Sequence, residues 1–218
     1  ATGRDSMVAN SVKVTVQTAP KSVALNITNK TIDLSSNERI FQLVGTISPS
    51  TANVYTHLKY TSSDKTVADV DENTGRVTAL KNGTATITVS TENNKTATCN
   101  VTVVTSPTGV TLDKSKATVD LSGTKTVELT AKIQPDTANI YTELSWISEA
   151  PEIAQVEKLN GSTVKVTGIS NGSAKIKVRT ENGKEATCVI VVETSITGIE
   201  IIPKTAKINM LEDPKLQL

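Results

Sequence analysis

An internal repeat constrains this chain more than any other feature. Pro49-Ser50-Thr51-Ala52-Asn53-Val54-Tyr55-Thr56 returns as Pro135-Asp136-Thr137-Ala138-Asn139-Ile140-Tyr141-Thr142. Asn82-Gly83-Thr84-Ala85-Thr86-Ile87 returns as Asn171-Gly172-Ser173-Ala174-Lys175-Ile176, and Lys95-Thr96-Ala97-Thr98-Cys99 as Lys184-Glu185-Ala186-Thr187-Cys188. Matches at separated points mean that one folding unit occurs twice. The register is 86 residues at the first pair (49 to 135) and 89 at the later ones (82 to 171). Three residues are therefore inserted around 157–166, where a hairpin tip would absorb them. The ends extend the pattern. Ser11-Val12-Lys13-Val14-Thr15-Val16 matches Thr98-Cys99-Asn100-Val101-Thr102-Val103, and Ile196-Thr197-Gly198-Ile199 matches Pro107-Thr108-Gly109-Val110. The expected order is the C-terminal strands of a preceding domain (1–18), two complete domains (19–105 and 106–193) and the N-terminal strands of a following one (194–218). On this reading the chain is an excerpt from a longer polypeptide.

Within a unit the apolar period is two. Ala85, Ile87 and Val89 alternate with Thr84, Thr86 and Thr88; Ala97, Cys99, Val101 and Val103 alternate with Thr96, Thr98, Asn100 and Thr102. Such alternation predicts half-buried strands with one polar face, and the 35 threonines supply β-branched residues suited to them. Turn signals at Asn73-Thr74-Gly75, Glu92-Asn93-Asn94, Asn160-Gly161 and Glu181-Asn182-Gly183 divide the runs. The first unit is read as strands near 22–28, 31–34, 38–47, 57–62, 67–70, 76–80, 84–91 and 95–104. The second repeats them near 109–113, 117–121, 125–133, 143–148, 153–157, 163–168, 173–180 and 184–192. No segment of helical period competes. The fold class expected is all-β: tandem immunoglobulin-like antiparallel β-sandwiches in an extended rod.

These residues resemble the bacterial immunoglobulin-like domain of group 2, the BIG2 family. The resemblance rests on Thr108-Gly109-Val110-Thr111-Leu112-Asp113, the Pro135 to Ala138 segment and Leu144-Ser145-Trp146-Ile147-Ser148. It continues in Val67-Ala68-Asp69-Val70-Asp71, Thr74-Gly75-Arg76-Val77-Thr78-Ala79 and Gly83-Thr84-Ala85-Thr86-Ile87. It implies an extracellular cell-surface setting, or alternatively a virion surface, since such domains occur in tandem in bacterial surface proteins, adhesins and phage virion proteins.

Composition removes several functions. The net charge is +1, so no basic face is available to neutralise phosphates, and nucleic acid is not an expected partner. Aromatics are 2% of residues, too few for stacking platforms. No apolar run approaches the ~20 residues of a membrane helix, so no membrane insertion is expected in this segment.

Each chemistry-bearing residue has a plainer structural reading. Cys99 and Cys188 occupy equivalent inward-facing positions and are read as small buried hydrophobes. The single histidine, His57, is matched by Glu143 in the second unit, which argues against a catalytic base. Asp71-Glu72-Asn73-Thr74-Gly75 has the opening of a calcium loop but no downstream bidentate Glu, and is read as a hairpin turn. Tyr60 and Trp146 are read as core aromatics. Asn26, Asn94 and Asn171 begin Asn-x-Ser/Thr triplets and are read as turn and strand-face chemistry. Lys13, Lys165 and Lys177 alternate outward, with no buried acid to support an isopeptide bond. No catalytic, cofactor-binding or metal-binding residue is assigned, and no enzyme activity or cofactor is expected.

The linkers around 17–20, 104–108 and 193–195 are short and contain Pro or β-branched residues, unlike a flexible tether. With strands of seven to ten residues at ~3.3 Å each, a unit is about 25–35 Å long. The expected function is a non-enzymatic spacer array, the stalk or shaft of a longer bacterial surface protein or fibre, with neighbouring Ig-like domains as partners. Two alternatives are an adhesin module for glycans or host matrix proteins, and Ig-like decoration of a phage virion protein.

Overall fold

Alternating β-branched residues bury one side chain in two, so each strand needs a sheet beside it and a second sheet across from it. The computed structural model describes residues 12–200, and every regular element among them is a strand. In the first unit these are β1 (Ser22–Leu25), β2 (Asn29–Asp33), β3 (Ile40–Gln42), β4 (Gly45–Ser48), β5 (Leu58–Ser62), β6 (Ala68–Val70), β7 (Arg76–Ala79), β8 (Gly83–Thr91) and β9 (Thr96–Val104). In the second they are β10 (Gly109–Leu112), β11 (Lys116–Asp120), β12 (Thr126–Gln134), β13 (Leu144–Ser148), β14 (Ala154–Lys158), β15 (Thr163–Gly168), β16 (Gly172–Thr180) and β17 (Glu185–Glu193). Contacts divide the chain into a unit running to Ser106, with Thr137–Ile140 attached, and a unit of Pro107–Asp136 with Tyr141 onward.

In unit 1 a four-stranded sheet, ordered β2-β9-β8-β5, faces a layer made of the β1-β4 pair and the β3-β7-β6 sheet. Ile87 and Val89 of β8 and Cys99, Val101 and Val103 of β9 are no more than 1% exposed and share a core with Leu43 and Val77. Each such aliphatic side chain contributes about 1.5–3 kcal/mol of burial. Unit 2 repeats the design with sheets β11-β17-β16-β13 and β10-β12-β15-β14 around Leu129, Val164, Val166, Ile176 and Ile190.

Two departures from the sequence reading have physical causes. First, the sandwiches are not wholly antiparallel: β2 runs parallel to β9 and β11 parallel to β17. Each opening strand crosses from one sheet to the other, and local alternation carries no information about strand direction. Second, the single strand expected at 38–47 is split at Leu43-Val44, whereas its counterpart β12 is continuous. The three inserted residues of unit 2 lengthen the β14–β15 hairpin, so β15 pairs with β12 from Thr126 to Thr130 and Ser162 reaches Ala131. The shorter β6–β7 hairpin stops at Gln42↔Arg76, and the Asn26 side chain bridges the break, accepting from Val44 N–H at 2.8 Å and donating to Gln42 C=O at 3.3 Å. Residues 12–18 and 194–200, read as parts of flanking domains, carry no regular structure; 1–11 and 201–218 lie outside the described residues. Val12, Val14 and Val16 are 84, 80 and 74% exposed.

Gly75 closes the short hairpin over the core. Its φ is +73°, and a Cβ there would lie 2.6 Å from the Leu43 carbonyl and 2.8 Å from Cζ of Tyr60. Only glycine satisfies both the backbone angle and the space.

Candidate functional site

The residues singled out by their chemistry are separated and individually engaged. Cys99 and Cys188 are fully buried, one in each core and unpaired, and burial pushes both thiols up. His57 is exposed just ahead of β5, and no described hydrogen bond or ion pair reaches it. Asp71 Oδ1 accepts the N–H groups of Thr74 at 2.8 Å and Asn73 at 3.1 Å, which holds its carboxyl below the usual range. Among the described residues no three His, Cys, Asp or Glu side chains converge as metal ligands would.

Tyr60 is 5% exposed, and its hydroxyl accepts the Gly45 N–H at 2.9 Å. Trp146 packs in the second core with its indole N–H unpartnered. Lys165 pairs with Glu157; Lys177 lies 3.1 Å from Glu149 and 3.8 Å from Glu185, and the Glu149 hydrogen bond raises its pKa. Lys13 is exposed. These are surface lysines with carboxylate or solvent neighbours. Asn94 takes a positive φ of 63° in its turn.

The repeated Asn-containing loops hold the chain itself. In the Pro49–Thr56 crossover, Asn53 accepts Thr18 N–H at 2.8 Å and donates to Val16 C=O at 2.9 Å, while its own N–H donates to Thr18 C=O at 2.9 Å. In the β8–β9 turn, Thr91 donates to Asn93 at 2.6 Å, and the Asn93 amide donates to Pro20 C=O at 2.8 Å. In the β16–β17 turn, Thr180 donates to Asn182 at 2.7 Å, and the Asn182 amide donates to Pro107 C=O at 2.8 Å. This explains why Thr91 and Thr180, both polar, are only 4% and 2% exposed.

Sequence reasoning missed a second polar set at the far end of each unit. Asp33 receives Ser106, and Asn82 receives Thr105; Asp120 receives Ser195, and Asn171 receives Thr194. The signal was present as a recurrence, Asp33-Leu34-Ser35 with Asp120-Leu121-Ser122 and Thr105-Ser106 with Thr194-Ser195. Burial opposes the Asp33 charge, but bonds from Ser106 and Ser35 outweigh it and hold the pKa at about 2. Asp120 is likewise held well below the usual carboxylate range, chiefly by the Ser195 and Ser122 hydrogen bonds.

Each unit also has an open groove beside its crossover loop. That of unit 2, about 550 Å³, is lined by Lys132, Asp136, Glu143, Leu144, Lys158 and Asn160 among others. Its counterpart in unit 1, about 400 Å³, has Thr46 and Ser50 where unit 2 has Lys132 and Asp136.

The two all-β sandwiches, each with one parallel strand pair and a shared loop chemistry, define a tandem immunoglobulin-like protein. The profile of the bacterial Ig-like domain (group 2) matches residues 39–101 and 107–191, and the chain belongs to that family. A stretch of 88 residues is 34% identical to a lacto-N-biosidase of Bifidobacterium bifidum, covering 39% of this chain and 7% of that protein. Among solved structures, surface layer protein SbsC domains 1–6 is similar at TM-score 0.38 and 20% identity, over 83% of this chain and 29% of that one. The protocadherin GammaB4 extracellular domain is similar at TM-score 0.43 and 13% identity, over 78% and 32% respectively. The chain thus spans under a third of each of these relatives. Domains of this family are a non-catalytic kind of module. No helix among the described residues is long and apolar enough to cross a membrane, which says nothing of β-barrels.

Proposed function

We propose that this chain is a non-enzymatic structural array, a spacer in the stalk or shaft of a longer extracellular bacterial surface protein or fibre. The observation that carries this reading is the internal use of the repeated polar loops. Asn53, Asn93 and Asn182 hold backbone of the same unit, and Asp33, Asn82, Asp120 and Asn171 hold the residues leaving it. Side chains occupied in this way have fewer donors and acceptors left to offer a ligand. The neighbouring Ig-like domains of the longer chain are the partners this function needs.

Glycan arrays and immobilised matrix proteins probed with the full chain test the reading. Absence of saturable binding is the expected result; specific binding would replace the spacer with an adhesin. The groove of unit 2 favours that second reading, because its Lys132, Asp136 and Lys158 lining departs from unit 1. Binding lost in a Lys158→Ala variant would assign it to that groove. Finding the chain in purified phage particles would instead establish a virion setting.

A further inference from the structure

A chain leaving a β-sheet usually passes into water, but the two polar residues leaving β9 do not. Thr105 and Ser106 are 3% and 8% exposed. Thr105 Oγ1 donates to Asn82 Oδ1 at 2.6 Å, Ser106 N–H donates to Asp33 Oδ1 at 3.0 Å, and Ser106 Oγ donates to Asp33 Oδ2. The residues leaving β17 are exposed but repeat two of these three contacts. Thr194 Oγ1 donates to Asn171 Oδ1 at 2.9 Å, and Ser195 N–H donates to Asp120 Oδ1 at 3.1 Å. The same four residue types do the same task in both units.

Parallel pairing is what brings the aspartate to the exit. β2 and β9 run in one direction with Asp33 beside Val104, the last residue of β9. β11 and β17 do likewise, with Asp120 beside Glu193. Leu34 N–H to Val104 C=O and Leu121 N–H to Glu193 C=O, both 2.8 Å, carry each ladder past the strand ends. An antiparallel partner would have ended at the opposite pole of the sandwich, far from the departing chain. Each carboxylate is also oriented by its own turn. Asp33 Oδ1 accepts Ser35 N–H at 2.9 Å, and Asp120 Oδ1 accepts Ser122 N–H at 2.9 Å and Ser122 Oγ at 2.7 Å. The acceptor is therefore preorganised before the exit segment reaches it.

We propose that Asp33 with Asn82, and Asp120 with Asn171, are positioning residues that latch the exit segment of each repeat onto that repeat's own sandwich. The latch fixes the point at which the chain becomes free, so tension along the array enters β9 and β17 directly instead of first stretching a loose tether. That purpose rests on the spacer reading; the latch itself does not.

Amide hydrogen exchange at Ser106 and Ser195 in the full chain, read by NMR, tests it. Both amides should exchange about 10–100-fold more slowly than in an unstructured peptide, the factor expected of a hydrogen bond to a charged acceptor. Asp33→Ala should release Ser106 to near the unstructured rate and leave Ser195 protected; Asp120→Ala should do the reverse. Asp33→Asn keeps the Oδ1 acceptor without its charge and should give intermediate protection at Ser106. The Ile87 and Ile176 amides serve as internal controls for each fold. If Asp33→Ala also exposes Ile87, the substitution has unfolded unit 1, and Asp120→Ala with Asn171→Ala then decides the matter in unit 2. Unprotected Ser106 and Ser195 amides in the unmodified chain, or continued protection in folded alanine variants, would overturn the proposal. Detection of a glycan or matrix ligand would remove the spacer reading and leave these exchange rates unchanged.

Discussion

Gly75→Ala tests how the first sandwich is closed. The new methyl must be carried at a φ of +73° and would meet the Leu43 carbonyl at 2.6 Å and the Tyr60 ring at 2.8 Å. The left-handed backbone costs about 1–2 kcal/mol for a residue with a Cβ. Displacing a buried aromatic and a strand carbonyl adds about 1–3 kcal/mol of overpacking. The sum is roughly 2–5 kcal/mol, enough to lower Tm by on the order of 10 °C or more in a domain of this size. Gly161, at the longer hairpin tip of unit 2, is the control: a Cβ there meets nothing within 4 Å. Gly161→Ala should change stability by less than about 0.5 kcal/mol. Trp146 is the single tryptophan and lies in unit 2, so its fluorescence follows that unit alone. Thermal unfolding of Gly75→Ala should show an early far-UV circular dichroism transition to which Trp146 is silent. A variant as stable as the parent chain, or one that shifts the Trp146 transition instead, would refute the hairpin-over-Tyr60 packing.

Ile176→Ala, at a fully buried position, should cost about 2–5 kcal/mol in urea unfolding. Ile147→Ala, at a residue 59% exposed one strand away, should stay within about 0.5 kcal/mol. Cys99 and Cys188 should resist a thiol-reactive dye in the folded chain and react together with global unfolding of their respective units, because neither exposes surface. Carboxyl NMR should find Asp33 titrating at about 2, below the ordinary 3.8. A depressed folded-state pKa means that its contribution is fully present above the unfolded value. The contribution is lost as pH falls from about 4 to about 2, so Ser106 amide protection should hold at neutral pH and fade in that acid window.

Much of the architecture was legible because sandwich strands announce themselves locally. Alternation in Ala85-Thr86-Ile87-Thr88-Val89 names both the strand and its inner face, and the same period along the last strand of each unit puts Cys99 and Cys188 inside. Direction was not legible: Asn29–Asp33 has the same alternation whether it joins β9 parallel or antiparallel. The break at Leu43-Val44 was hidden for a related reason. Leu43 and Leu129 are equally buried, and the difference lies in hairpins some 30 residues away that lengthen one ladder and not the other. The latch escaped because aspartate, asparagine, serine and threonine are ordinary turn residues, and only parallel pairing gathers them at one exit. Recurrence of Asp-Leu-Ser and Thr-Ser at equivalent places was the available clue.

The structural-array account is tested most directly by pulling the full chain from its two ends in a single-molecule force experiment. Each sandwich of roughly 88 residues, extended at ~3.5 Å per residue, should release about 300 Å of chain less its ~30 Å folded length. Two separate force peaks, each followed by about 270 Å of new contour length, are predicted. A single event releasing both units at once, or extension without resistance, would contradict the account.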